Sequence, residues 1–134
     1  MRWIALLVAL TASPAMADVF SFETPSGNIE CSVGIGRNSA DIICEIIQKN
    51  GPPARPWPAD CAQVWGHRFM LRERGPVEMQ CAPPPKNLSY SDKAPYGVTG
   101  EFGGITCLSE RTGFQCSNLD GHGFFLSRAR QSVY

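Results

Sequence analysis

The sequence predicts an all-β domain, a small antiparallel barrel or sandwich of about eight short strands stapled by three disulfides. Three observations carry this expectation. Apolar residues alternate at period two in several short runs, the pattern of strands with one buried face. Glycine (13) and proline (11) recur between those runs as turn residues. Six cysteines stand in a chain of 134 residues, with no two of them close enough in sequence for the tight turn of a zinc site.

Residues 1–17 read as a signal peptide. Arg2 supplies the positive start, Trp3 to Leu10 the apolar run, and Ala15-Met16-Ala17 the small-x-small cleavage pattern. The run is shorter than the roughly 20 apolar residues of a membrane span, so no span is expected after cleavage. The mature chain then starts at Asp18 and forms a single domain over 18–134, within the usual size of one domain. Removing Arg2 with the leader leaves 11 basic against 12 acidic residues over 117 positions, a formal charge of −1. That balance excludes a nucleic-acid binder and gives no basic patch for an anionic membrane surface. With an even number of cysteines in an exported chain, the expected location is the periplasm or the exterior.

The elements follow in order. Strands are predicted at Val19–Phe22, Asn28–Val33, Asp41–Ile46, His67–Arg72 and Val77–Cys81. Gly97–Phe102 runs into Ile105–Ser109, and Phe114–Asn118 and Gly123–Ser127 complete the set. Setting Cys31 opposite Cys44 places Ile29 against Ile46 and Val33 against Ile42, with Gly36-Arg37-Asn38-Ser39 as the turn. Three successive pairs agree, as cross-strand packing requires. Setting Cys107 opposite Cys116 places Ile105 against Asn118 and Ser109 against Phe114. The loop is then Glu110-Arg111-Thr112-Gly113, where Gly113 supplies a positive φ. Glu73-Arg74-Gly75-Pro76 turns the hairpin between them, which leaves Cys61 and Cys81 as the third bridge. Between Pro58 and Gly66 the pattern predicts one or two helical turns stopped by Gly66. Gly51-Pro52-Pro53, Pro56-Trp57-Pro58 and Pro83-Pro84-Pro85 read as surface crossings.

Candidate chemistry is sparse. The gaps between successive cysteines hold 12, 16, 19, 25 and 8 residues, which removes zinc, and the even count leaves no free thiolate nucleophile. His67 and His122 have no metal-ligand spacing, so no metal and no cofactor is expected. Asp120, His122 and Ser127 could form a hydrolytic set, but the Gly-rich run Leu119–Gly123 is explained by turn chemistry alone. Among the carboxylates Glu23, Glu30, Glu45 and Glu101 no spacing singles out a pair, and scattered acids on a β surface are expected to be solvated. The sequence leans against an enzyme. Recognition remains. Trp57 between prolines, Trp65, Tyr96 and Arg128 are the binding candidates, since aromatics and arginine anchor interfaces. Against that reading, Trp57 and Trp65 could simply cover one end of a small core.

The run Phe22-Glu23-Thr24-Pro25-Ser26-Gly27-Asn28-Ile29-Glu30-Cys31 resembles the start of a family of small exported bacterial domains of unknown function. Cys61 with Trp65-Gly66, Pro95-Tyr96-Gly97, Ile105-Thr106-Cys107 and Gly121-His122-Gly123-Phe124-Phe125-Leu126-Ser127-Arg128 follow in that family's order. The resemblance implies a bacterial source and an exported single domain, and it assigns no catalytic or binding residue. The expectation is therefore a non-enzymatic binding or accessory module of the bacterial periplasm or exterior, whose partner is an envelope or extracellular protein. The alternatives are a small periplasmic hydrolase using Asp120 and His122, an inhibitor-like domain, or a stability module attached to the envelope whose motifs serve only turns and bridges.

Overall fold

Two-residue turns at Arg37-Asn38, Gly103-Gly104 and Arg111-Thr112 each join strands whose inward faces are already in step. In the computed structural model, which describes residues 18–134, ten strands form two five-stranded antiparallel sheets. The proposed leader lies outside the described residues. The first sheet runs β1 (Asp18–Glu23), β2 (Ile29–Gly36), β3 (Ser39–Ile46), β4 (Val64–Arg72) and β5 (Glu78–Ala82) in sequence order. The second runs β6 (Thr99–Phe102), β7 (Ile105–Glu110), β8 (Gly113–Ser117), β9 (Gly123–Leu126) and β10 (Gln131–Val133), again in sequence order. The sheets do not close on one another, so the molecule is a sandwich and not a barrel.

The registers follow the cysteines. Cys31 faces Cys44, Ile29 faces Ile46 and Val33 faces Ile42, with Arg37 and Asn38 as the turn residues. Cys107 faces Cys116 and Ser109 faces Phe114. The bridges are Cys31–Cys44, Cys61–Cys81 and Cys107–Cys116, as the side-chain patterns predict. Their fourfold-buried partners Cys31, Cys44, Cys107 and Cys116 point into the layer between the sheets, beside Val33, Ile42, Phe69, Leu71, Phe114 and Phe124. Ring pairs Phe22–Phe114 and Phe69–Phe124, with centroids 5.9 and 5.7 Å apart, join the sheets across that layer.

Four expectations are corrected. The segment from Pro58 to Gly66 is not helical: it is a turn that leads into β4 at Val64. Trp65 is buried in the core and Cys61 is tied to Cys81, so the backbone is drawn into the sheet. Gly66 (φ +83°) lies where the β4–β5 register slips between Val64 and Arg68. It allows the bulge that a helix stop had been expected to explain.

Second, there are ten strands. The stretch after Gly97 breaks at Gly103-Gly104 into β6 and β7, and β10 was not foreseen. β10 buries Gln131, whose side-chain amide donates to Gly66 O (2.9 Å) and accepts from Ala54 N (2.8 Å). No period-two apolar signal marks a strand whose buried residue is a glutamine.

Third, Gly113 is not a loop residue. It keeps the expected positive φ (+156°) but pairs with Glu110 inside the ladder, and a Cβ there would lie 2.4 Å from the Phe125 ring. Glycine is needed for that close approach and not for a turn.

Fourth, Glu23 and Glu30 are buried rather than solvated. Glu23, Glu30 and Glu45 stand side by side across β1, β2 and β3, followed by Arg68 and Gln80 on β4 and β5. The loop before β6 covers this row: Lys93 pairs with Glu23, and Glu30 accepts from Leu88 N (2.9 Å) and Ser89 N (3.3 Å).

Candidate functional site

Three segments far apart in sequence meet at one cleft of about 410 Å³. The first is the β1–β2 loop. Gly27 (φ +74°) lets it turn, Thr24 N donates to Ile29 O (2.9 Å), and Asn28 N donates to Ser26 Oγ (3.2 Å). Asn28 also clasps Gln48, donating Nδ2 to its carbonyl (3.0 Å) and accepting from its N–H (2.8 Å). The residues Thr24–Asn28 that carry the family resemblance thus hold a rigid loop, with Thr24, Ser26 and Asn28 lining the cleft.

The second wall is Tyr96 with the β7–β8 turn. The Arg111 guanidinium lies over the Tyr96 ring, 5.2 Å from its centroid, a cation–π contact. The third is the turn after β9. Ser127 Oγ donates to Arg130 O (2.9 Å), which closes the turn on itself. Arg128 O accepts from Asn50 N (2.8 Å) and Gly51 N (3.2 Å), so the backbone of Arg128 is pinned while its side chain stays exposed. Ile29 and Leu126, both buried, form the apolar floor.

Two arginines that line the cleft carry no ion pair among the described residues. Among the described residues the ion pairs fall on Arg68, Arg72, Arg74 and Lys93. Arg111 and Arg128 have no acidic partner, and both line the cleft, with Glu110 the one carboxylate beside them. Two uncompensated guanidiniums, one over a tyrosine ring, make a surface that receives carboxylate groups, with hydroxyls and an apolar floor to hold what carries them.

Of the predicted binding residues, the fold brings Tyr96 and Arg128 together and leaves the tryptophans elsewhere. Trp65 is a core residue whose indole N–H donates to Arg55 O (3.0 Å). Trp57 is 54% exposed and donates its indole N–H to Cys61 O (3.0 Å). Neither lines the cleft. Arg111 was missed because its partner in the site, Tyr96, is fifteen positions away on another element. The only local hint was its place in a hairpin turn.

The Asp120, His122 and Ser127 side chains do not converge. Asp120 bonds Gly75 N (2.7 Å) and Arg74 Nη1 (2.9 Å). The Gly75 N–H and then the Arg74 charge hold its carboxyl below the usual carboxylate range. His122 Nδ1 faces Tyr134 O (3.3 Å), and Ser127 Oγ is spent on its own turn. No hydrogen bond joins any two of the three, so no base is placed to activate a hydroxyl. Among the described residues, no group of three or more His, Cys, Asp or Glu side chains could hold a metal ion. No helix among them is long and apolar enough to cross a membrane.

A second cleft, of about 390 Å³, opens between β1 and β6 and is lined by Phe20, Phe22, Val98, Phe102 and Phe114.

Fold and site together define a small β-sandwich stapled by three disulfides, the bonding of an oxidising compartment, with a surface cleft built from loops on a rigid frame. The chain belongs to the family of unknown function DUF6636, whose family model matches residues 2–134. No curated protein and no solved structure matches it.

Proposed function

We propose that the protein is a non-enzymatic binding module of the bacterial periplasm or exterior, and that it holds an envelope or extracellular protein at the cleft between Thr24–Asn28, Tyr96–Arg111 and Arg128. One observation carries this reading: three separated segments, each with its backbone locked by hydrogen bonds, present Tyr96, Arg111 and Arg128 to one hollow with both guanidiniums unpaired. Such pre-organisation lowers the entropic cost of binding, and arginine with tyrosine is the composition of interface anchors. The partner segment that fits is acidic, with an apolar side chain for the Ile29–Leu126 floor. Export rests on the leader pattern of residues 1–17 and on the three disulfides.

The test is affinity capture from native envelopes with the wild-type domain and with a Tyr96→Ala/Arg128→Ala variant, in parallel. A partner retained by the first and lost by the second supports the site. Equal retention by both refutes it. Inhibition of lysozymes and common proteases by the purified domain tests the inhibitor-like version, which no effect at micromolar concentration would dismiss.

A further inference from the structure

Among the described residues the outer edge of β1 has unspent hydrogen-bonding groups. In the β1–β2 pairing Thr24 N bonds Ile29 O, whereas Glu23 N donates to Asp92 O (3.0 Å) and Glu23 O accepts from Ala94 N (2.8 Å). Because antiparallel pairs alternate, the even-numbered residues of β1 bond β2 and the odd-numbered ones turn their N–H and C=O outward. The Cys31–Cys44 pair agrees: its Cα atoms are 4.1 Å apart, the spacing of a non-hydrogen-bonded pair, so Cys31 spends its backbone groups on Phe22 and not on β3. Glu23 has its outward partners in the segment 92–94, where a short parallel bridge forms. Val19 and Ser21 have none among the described residues.

This edge is also apolar and unguarded. Val19 is 72% and Phe20 38% exposed, and Asp18–Glu23 contains no lysine, proline or bulge of the kind that blunts edge strands. Beneath it, on the inward side, lies the Phe20–Phe102 cleft.

From these features we infer that β1 pairs antiparallel with β1 of a second copy of this chain, about a twofold axis at Phe20. In that register Val19 of one copy exchanges both backbone hydrogen bonds with Ser21 of the other, and the reverse. The two Phe20 side chains meet over the joined cleft mouths, and the two first sheets become one ten-stranded sheet. The length of the free edge selects this occupant. It is closed at Glu23 by the segment 92–94, and for a chain that begins at Asp18 it is centred on Phe20. A chain cut after Ala17 begins at Asp18, which falls opposite Phe22 of the other copy and stops one residue short of the filled position. A chain that keeps Ala17 runs into it. Pairing of copies is thereby coupled to removal of the leader.

The experiment is sedimentation velocity with residue-resolved amide exchange on the oxidised protein beginning at Asp18. The expected result is a concentration-dependent doubling of mass, with exchange at Val19 and Ser21 slowed about tenfold or more in the dimer. Ser21→Pro removes one outward N–H and no backbone bond to β2, with only the Ser21–Ser32 hydroxyl contact (2.9 Å) lost there, and Val19→Lys places a charge on the edge. Each should give a monomer with near-wild-type thermal unfolding, and so should a version that retains Ala15-Met16-Ala17. Should Ser21→Pro fail to fold, Val19→Lys and the extended version decide. A monomer at millimolar concentration overturns the inference. So does a dimer that survives Val19→Lys, or one that forms equally well with Ala15-Met16-Ala17 in place.

Discussion

Removing the disulfides one at a time separates loop entropy from core packing. The bridged residues are 13, 20 and 9 positions apart for Cys31–Cys44, Cys61–Cys81 and Cys107–Cys116. Chain entropy alone gives about 2.9, 3.3 and 2.6 kcal/mol respectively, so Cys61–Cys81 ranks first on that basis. Burial reverses the order. Cys31, Cys44, Cys107 and Cys116 are all at most 3% exposed, whereas in the third bridge only Cys61 is buried and Cys81 is exposed. Replacing two buried sulfurs by hydrogen leaves two gaps, each costing about 0.8 kcal/mol if a sulfur is weighed as a methylene. The Cys31→Ala/Cys44→Ala and Cys107→Ala/Cys116→Ala variants should then lose about 4.5 and 4.2 kcal/mol, against about 4.1 for Cys61→Ala/Cys81→Ala, which leaves one buried gap. Urea unfolding of the three variants, extrapolated to water, measures this. If Cys61→Ala/Cys81→Ala is the least stable by more than about 1 kcal/mol, the packing argument fails and loop length governs. The three loop terms together come to about 9 kcal/mol, comparable with the whole stability of a typical domain, so full reduction should unfold the protein.

Other outcomes follow from single contacts. Gly113→Ala drives a Cβ to 2.4 Å from the Phe125 ring and 2.8 Å from Leu126 O, and should cost about 2 kcal/mol or more in the same urea assay. Lys93→Ala strips the partner from Glu23, a carboxylate with 4% side-chain exposure and one oxygen already without a hydrogen bond. It should cost about 3 kcal/mol, and the Glu23→Gln/Lys93→Ala double variant should recover much of that; a double variant as unstable as the single would refute the buried-charge account. Asp120 is held below its ordinary range by Gly75 N–H and Arg74, so its contribution is present above about pH 4 and lost as pH falls through the lower, folded-state value. Asp120→Asn should therefore lower stability at neutral pH and flatten the acid limb of a stability–pH profile, the two proteins converging as pH falls below the folded-state value.

The strand pairings were legible because each cysteine sits in a period-two run, and a one-residue slip would expose its whole face. The same logic gave Cys31 against Cys44 and Ser109 against Phe114 before any coordinates. It failed where burial does not follow hydrophobicity. Gln131 is buried because two backbone groups from Ala54 and Gly66 need its amide, and Glu30 because Leu88 and Ser89 need its carboxylate. The predicted helix failed for a related reason. Local propensity over Pro58–Gly66 lost to a bridge from Cys61 and the burial of Trp65, both contacts with residues far away. At the cleft, Tyr96 and Arg128 were visible as residue types, while Arg111 acquires meaning only through the ring beneath it.

By itself the sequence determined the class of the fold, the three bridges and the hairpins that hold them, since these depend on alternation and turn residues within about twenty positions. Only the tertiary structure decided that the two meanders stack as an open sandwich, that Tyr96, Arg111 and Arg128 share one hollow, and that β1 keeps an edge unpaired among the described residues. Those features depend on which surfaces of separate hairpins come together, and that is settled by the long-range burial of Phe22, Phe69, Phe114 and Phe124 between the sheets.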